Sequence, residues 1–209
     1  MKKLLALVLV LIMVISLTAC GDDSTFDDVG GTVSNVETPV SSEEEVQVDL
    51  GGVEGSSYKN ASVGIQLVAP EGWTFYTQDQ IDEMNNENTD LEAANAMFDM
   101  MIIDASGNNV SVSFENLGKL YGSVLSEDKY LELAKQNIEN SDTVFENIEI
   151  TTVTVAGETW GCLKFAQQYE GITVNQMSAV KKCGKFMALV TATGIDKTPE
   201  EILAMFTKI

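Results

Sequence analysis

FENIEITTVTVAGETWGCLKFAQQYEGITVNQMSAVKKCGKFMALVTAT, residues 145–193, holds four runs rich in β-branched and aromatic side chains. The runs cover Phe145–Val155, Thr159–Gln168, Ile172–Lys182 and Lys185–Thr193. Only Ala156-Gly157-Glu158, Tyr169-Glu170-Gly171 and Cys183-Gly184 separate them. Such residues suit a pleated, half-buried surface, and short glycine-containing connections suit tight hairpins, so the stretch predicts an antiparallel meander.

Outward from the meander, helices and further strands follow. Thr198-Pro199-Glu200-Glu201 combines an N-cap residue, a first-turn proline and a third-position Glu, and predicts a helix with Ile202, Leu203, Met205 and Phe206 on its core face. Upstream, Ser126 caps a helix from Glu127 to about Glu139 whose apolar stripe is Tyr130, Leu131, Leu133, Ala134 and Ile138. Phe98 to Asp104 reads as a buried strand. Ser106-Gly107-Asn108 turns it into a second strand with Val110, Val112 and Phe114 on one face. Thr77-Gln78-Asp79-Gln80 is a capping-box pattern opening a helix through Ile81 and Met84, and a second short helix is expected near Leu91 to Asn95. Val63, Ile65 and Leu67 alternate along a strand that stops at Pro70, where Glu71-Gly72 turns the chain into Trp73 and Phe75. Trp73 is expected to plug the core. Helices gathered against a single antiparallel sheet make an α+β domain over residues 58–209.

Ahead of that domain the composition changes. From Gly21 to about Ser57 there are ten acids, no base and many Gly, Ser and Thr. Such a segment cannot bury enough apolar surface to offset its ordering entropy, so residues 20–57 read as an acidic, disordered tether extended by self-repulsion. Lys2 and Lys3 precede an uncharged apolar run from Leu4 that ends in Leu17-Thr18-Ala19-Cys20. The 16 positions from Leu4 to Ala19 span about 24 Å as a helix, short of the roughly 30 Å hydrocarbon core. A plain secretory signal wants a small residue where Leu17 stands. The pattern instead resembles the lipobox of bacterial lipoproteins. That resemblance implies a signal peptide over residues 1–19, a diacylglyceryl group on the Cys20 thiol, and Cys20 as the mature N-terminus. The chain is then expected at the cell membrane, lipid-anchored on the extracytoplasmic face.

Charge narrows the chemistry. Beyond the signal the chain carries 32 acidic residues against 10 lysines, with no Arg and no His. Nucleic-acid binding rests on cationic side chains neutralising phosphates, so no nucleic-acid partner is expected. Without His, Ser-His-Asp and Cys-His nucleophilic arrangements are impossible. Ser126-x-x-Lys129 and Ser178-x-x-Lys181 match one motif of penicillin-recognising enzymes, but Lys197-Thr198 is followed by Pro199 and no Ser-Asp-Asn occurs. No catalytic residue, cofactor or metal ligand is assigned, and the chain is not expected to be an enzyme.

Weaker constellations have ordinary explanations. Asn86-x-Asn88-x-Asp90-x-Glu92 alternates oxygens as a calcium loop does, yet Leu91 and Met97 stand where Gly and Glu are needed. A weak calcium site drawing on Asp79, Asp82, Glu83 or Asp90 is the alternative. Met97, Met100 and Met101 read as core fillers, with Met97 and Met101 on one face. A hairpin centred near Glu170 sets Cys162 opposite about Ser178 and leaves Cys183 roughly 16 Å further along, so both thiols are expected free and buried.

Tyr58-x-Asn60, Gly64-Ile65 and Pro70-Glu71-Gly72-Trp73, with the order of elements that follows, resemble PsbP-like domains over about residues 58–209. The resemblance implies a central antiparallel sheet flanked by helices, in a family of accessory, assembly and binding modules. The expected function is therefore a non-catalytic protein-binding or accessory lipoprotein with a protein partner. A small-molecule or cation-binding sensor is the alternative.

Overall fold

The computed structural model describes residues 49–87 and 95–209. In chain order its elements are β1 (Gly52–Glu54), β2 (Ser57–Asn60), β3 (Ile65–Val68), β4 (Trp73–Phe75), α1 (Gln78–Glu87), β5 (Ala96–Asp104), β6 (Asn109–Asn116), α2 (Gly118–Val124), α3 (Glu127–Glu139), β7 (Phe145–Val155), β8 (Glu158–Tyr169), β9 (Ile172–Cys183), β10 (Phe186–Gly194), α4 (Pro199–Leu203) and β11 (Phe206–Lys208). The meander appears with its four strands close to the expected bounds. Its first two connections are the two-residue turns Ala156-Gly157 and Glu170-Gly171, with all four residues at positive φ. That geometry matches the strand twist.

The meander forms most of a seven-stranded antiparallel sheet ordered β4-β5-β6-β10-β9-β8-β7. A single sheet was expected, but there are two. The second has four strands, ordered β1-β2-β3-β11. It packs Tyr58, Ile65, Leu67 and Phe206 onto one face of the large sheet, together with Ile202 and Leu203 of α4. On the opposite face, Tyr130, Leu131, Ala134 and Ile138 of α3 meet Leu163, Phe165, Val174, Val180 and Met187. The architecture is α+β, predominantly antiparallel sheet with few helices, and its sheets stay open.

Three local expectations differ from the structure. The C-terminal helix ends at Leu203, and Phe206–Lys208 instead pairs with Ile65–Leu67 of β3. Ile202, Leu203 and Phe206 are all buried as anticipated. As a strand, Phe206–Lys208 takes its backbone partners from β3 while Phe206 stays in the core. Helix α2 was not foreseen, since its N-cap Leu117 makes no side-chain cap bond and two of its seven residues are glycine. One of them is there for packing, because a Cβ on Gly122 would lie 2.8 Å from the Lys185 backbone. Strand β1 lies inside the stretch read as tether, and Val53 pairs with Tyr58. Of the second short helix expected near Leu91 to Asn95, all but Asn95 falls outside the described residues.

The capping predictions hold. Ser126 Oγ accepts from Lys129 N, Thr198 and Glu201 form a reciprocal capping box, and Gln80 Oε1 accepts from Thr77 N at 2.9 Å. Gly72, at φ 84°, lets the chain turn so that Trp73 N bonds Pro70 O at 3.1 Å. Trp73 is half-buried against the main core and does not plug it fully.

Candidate functional site

Among the described residues, three hydrogen-bonded buried polar groups and one open strand edge stand out from the apolar core. The first polar group arises from a bulge. The β5–β6 register shifts between Phe98 and Met100, making Asp99 the extra residue. Its Oδ2 accepts from Tyr58 Oη at 2.5 Å, Asn60 Nδ2 at 2.7 Å and Gly51 N at 2.9 Å. Asn60 also accepts from Val63 N through Oδ1, holding the β2–β3 turn. Burial first, then the neighbouring Asp99 carboxyl, raises the Tyr58 hydroxyl pKa beyond its ordinary range. Gly51 must be small, since a Cβ there would sit 2.6 Å from Lys59 O and 2.9 Å from Asp99 Oδ2. This group fastens the segment from Gly51 to Asn60 to the large sheet.

The second is Glu115 on β6, 3% exposed, which accepts from Tyr130 Oη of α3 at 2.6 Å. Burial pushes its pKa up to about 7, and the Tyr130 hydrogen bond opposes that only in part. The third is Asn108, wholly buried. Its Oδ1 accepts from the backbone N–H groups of Ile195, Asp196 and Lys197, and its Nδ2 donates to Asp104 and Asp196. It ties the β5–β6 hairpin to the segment leading into α4. Each of the three is hydrogen-bonded within the core and serves packing.

The residues singled out by sequence disperse. Cys20 and Asp90 lie outside the described residues. Asp79, Asp82 and Glu83 are exposed on α1, where Asp82 accepts from Gln78 Nε2. Among the described residues no three Asp, Glu or Cys side chains come together to hold a metal ion. Ser126 caps α3, Ser178 Oγ lies 3.1 Å from Thr191 Oγ1, and Lys181 bonds Glu158 and Val63 O.

The bulge at Asp99 overturns the Met pairing. Met101 lies with Phe98 and Ile81 on one side, Met100 enters the main core, and Met97 is 37% exposed. Cys162 faces Ala179, one residue from the expected partner, because the hairpin turns between Glu170 and Gly171. Both cysteines are free, but only Cys162 is fully buried. Burial pushes its thiol pKa up to about 12. Cys183 is half-exposed because it ends its strand.

The open edge is β7. It is the last strand of the large sheet, and among the described residues no strand lies beyond it. Val155 and Glu158 flank a two-residue turn and bond each other, so the pattern alternates back along the strand. Thr151 and Val153 therefore bond β8, while the N–H and C=O groups of Ile150, Thr152 and Thr154 point outward. All three of those residues are exposed. Five strand spacings, roughly 24 Å, separate this edge from β5, where Gly51 is fastened. A shallow hollow of about 380 Å³ beside β1 and β2, lined by Gly52, Glu54, Ser57 and Lys59, brings no comparable set of groups together.

Among the described residues no helix is long and apolar enough to cross a membrane. No protein-family model matches the chain, and no curated protein matches it in sequence. Sixteen solved chains match it in structure. One is a Bacteroides thetaiotaomicron protein, 11% identical with a TM-score of 0.40, the match covering 75% of this chain and 49% of that one. Another is LpqN of Mycobacterium tuberculosis, involved in cell envelope biogenesis, 14% identical with a TM-score of 0.38 and covering 68% of this chain and 82% of that one. The chain spans about half the length of the Bacteroides structure.

Proposed function

We propose that this chain is an exported lipoprotein, held at the extracytoplasmic face of the cell membrane by lipid on Cys20, whose PsbP-like domain is a non-catalytic protein-binding module. The observation that carries the binding role is the β7 edge, with its outward backbone groups and its distance from the point where the chain joins the sheet. An unpaired strand edge is a ready template for another chain. Leu17-Thr18-Ala19-Cys20 after its apolar run supports the anchor. A tether of roughly 30 residues gives the domain a reach of several tens of ångströms from the bilayer.

Two measurements test the proposal. Replacing Cys20 with Ser is expected to move the chain out of the membrane fraction, and normal processing and unchanged membrane association in that variant would overturn the anchor. Crosslinking in cells is expected to yield an adduct larger than the chain alone. Its absence in membranes that contain the protein would overturn the binding module.

A further inference from the structure

We infer that β7 is a docking edge for an extended, lysine- or arginine-bearing segment of a partner protein, added antiparallel as an eighth strand of the large sheet; this rests on the binding-module reading above. The six outward N–H and C=O groups of Ile150, Thr152 and Thr154 supply main-chain recognition without rearrangement of β8.

Proteins that leave such edges exposed usually guard them with Lys, Pro or a bulge. Glu149–Val155 contains neither Lys nor Pro. The one bulge, with Asn147 at φ 56°, lies upstream and leaves those seven residues in continuous register. The usual guards are absent where the edge is longest.

Charge selects the occupant. No lysine occurs between Lys135 and Lys164, whereas Glu139, Asp142, Glu146, Glu149 and Glu158 all fall in that interval. Asp142, Glu146 and Glu149 are exposed at the N-terminal half of the edge, and Thr151–Val155 is uncharged. Lys164, opposite Glu149 in the ladder, is already bonded to Glu200 at 2.7 Å. An antiparallel partner strand would therefore set cationic residues at its C-terminal end beside Glu146 and Glu149, and β-branched residues beside Thr151–Val155. A second copy of this chain is a poor fit. It would bring the same acids and no lysine of its own edge to meet them, on a molecule of net charge −20.

The test uses the full-length chain and a ten-residue peptide alternating valine and threonine, with two lysines at its C-terminal end. Amide hydrogen exchange read residue by residue is expected to slow at least tenfold at Ile150, Thr152 and Thr154. Thr151 and Val153, already bonded to β8, should not change. The same peptide with two glutamates in place of the lysines should bind at least tenfold more weakly, and E146K/E149K should reverse that preference. Thr152→Pro removes one outward donor without touching the ladder, so it should cut binding at least tenfold while the circular dichroism spectrum stays unchanged.

Protection on another edge, no protection, or equal binding of the two peptides would overturn the inference. Each of those results can coexist with an adduct in cells, which would keep the binding-module reading. No adduct in cells would remove that reading itself.

Discussion

Asp99 and Glu115 sit on neighbouring strands of one sheet, 8% and 3% exposed, and they solve the problem of a buried carboxyl group in opposite ways. Asp99 gathers three donors from three residues of the N-terminal segment. Glu115 has the Tyr130 hydroxyl and an otherwise apolar layer beneath α3. Burial costs are set by the partners a group finds, not by depth alone. Asp99 is thus a fastener whose loss strands three donors, and Glu115 is a group whose proton folding retains up to about pH 7.

The sharpest way to break this contrast is Asp99→Ala. It leaves Tyr58 Oη, Asn60 Nδ2 and Gly51 N without their acceptor and is expected to cost at least about 3 kcal/mol, read from urea unfolding at neutral pH. A loss below 1 kcal/mol would mean that water replaces the carboxyl group freely.

Glu115→Gln should act with the opposite sign. The folded state keeps the Glu115 proton up to about pH 7, while the unfolded chain releases it near 4.5. The folded state therefore binds more protons between those values, and stability falls as pH rises through that window. Glutamine abolishes the titration and still accepts from Tyr130. The variant should match the parent near pH 4 and exceed it by about 2–3 kcal/mol at pH 8, by the same unfolding measurement. Equal pH profiles would show that Glu115 is solvated in the folded state.

Smaller effects refine the pair. Tyr58→Phe removes one of three donors at Asp99 and is expected to cost about 1–2 kcal/mol. Tyr130→Phe removes the one hydroxyl donor at Glu115. It should cost about 1 kcal/mol at acidic pH and move the pH-dependent loss of stability upward, because the hydrogen bond that lowers the Glu115 pKa is gone. A downward movement would mean that another donor takes its place.

Much of this contrast was half-visible in the linear chain. Tyr58 and Asn60 stood out as a motif, and both converge on Asp99. Asp99 itself, in the middle of the apolar run AMFDMMIID, carries a signal of its own. A lone acid between Phe98 and Met100 on a buried strand has to find donors or break the ladder, and here it does both. Glu115 was hidden differently. It continues the alternation of Ser111 and Ser113 opposite Val112 and Phe114, and so reads as solvent-facing until α3 is laid over that face.

The meander, the helix caps and the Pro70–Trp73 turn were legible because their causes lie within a few residues: alternation, side chains that cap free N–H groups, and glycines at positive φ. What no local pattern could supply is the second sheet, the strand that replaces the end of the last helix, the donors that reach Asp99 and the free edge of β7. Those depend on partners far along the chain: Gly51 N bonds Asp99 across 48 positions, and Gln66 Nε2 reaches Lys208 O across 142. Whether a run of Thr and Val ends inside a sheet or at its margin is a matter of which neighbour arrives, and for β7 none does among the described residues.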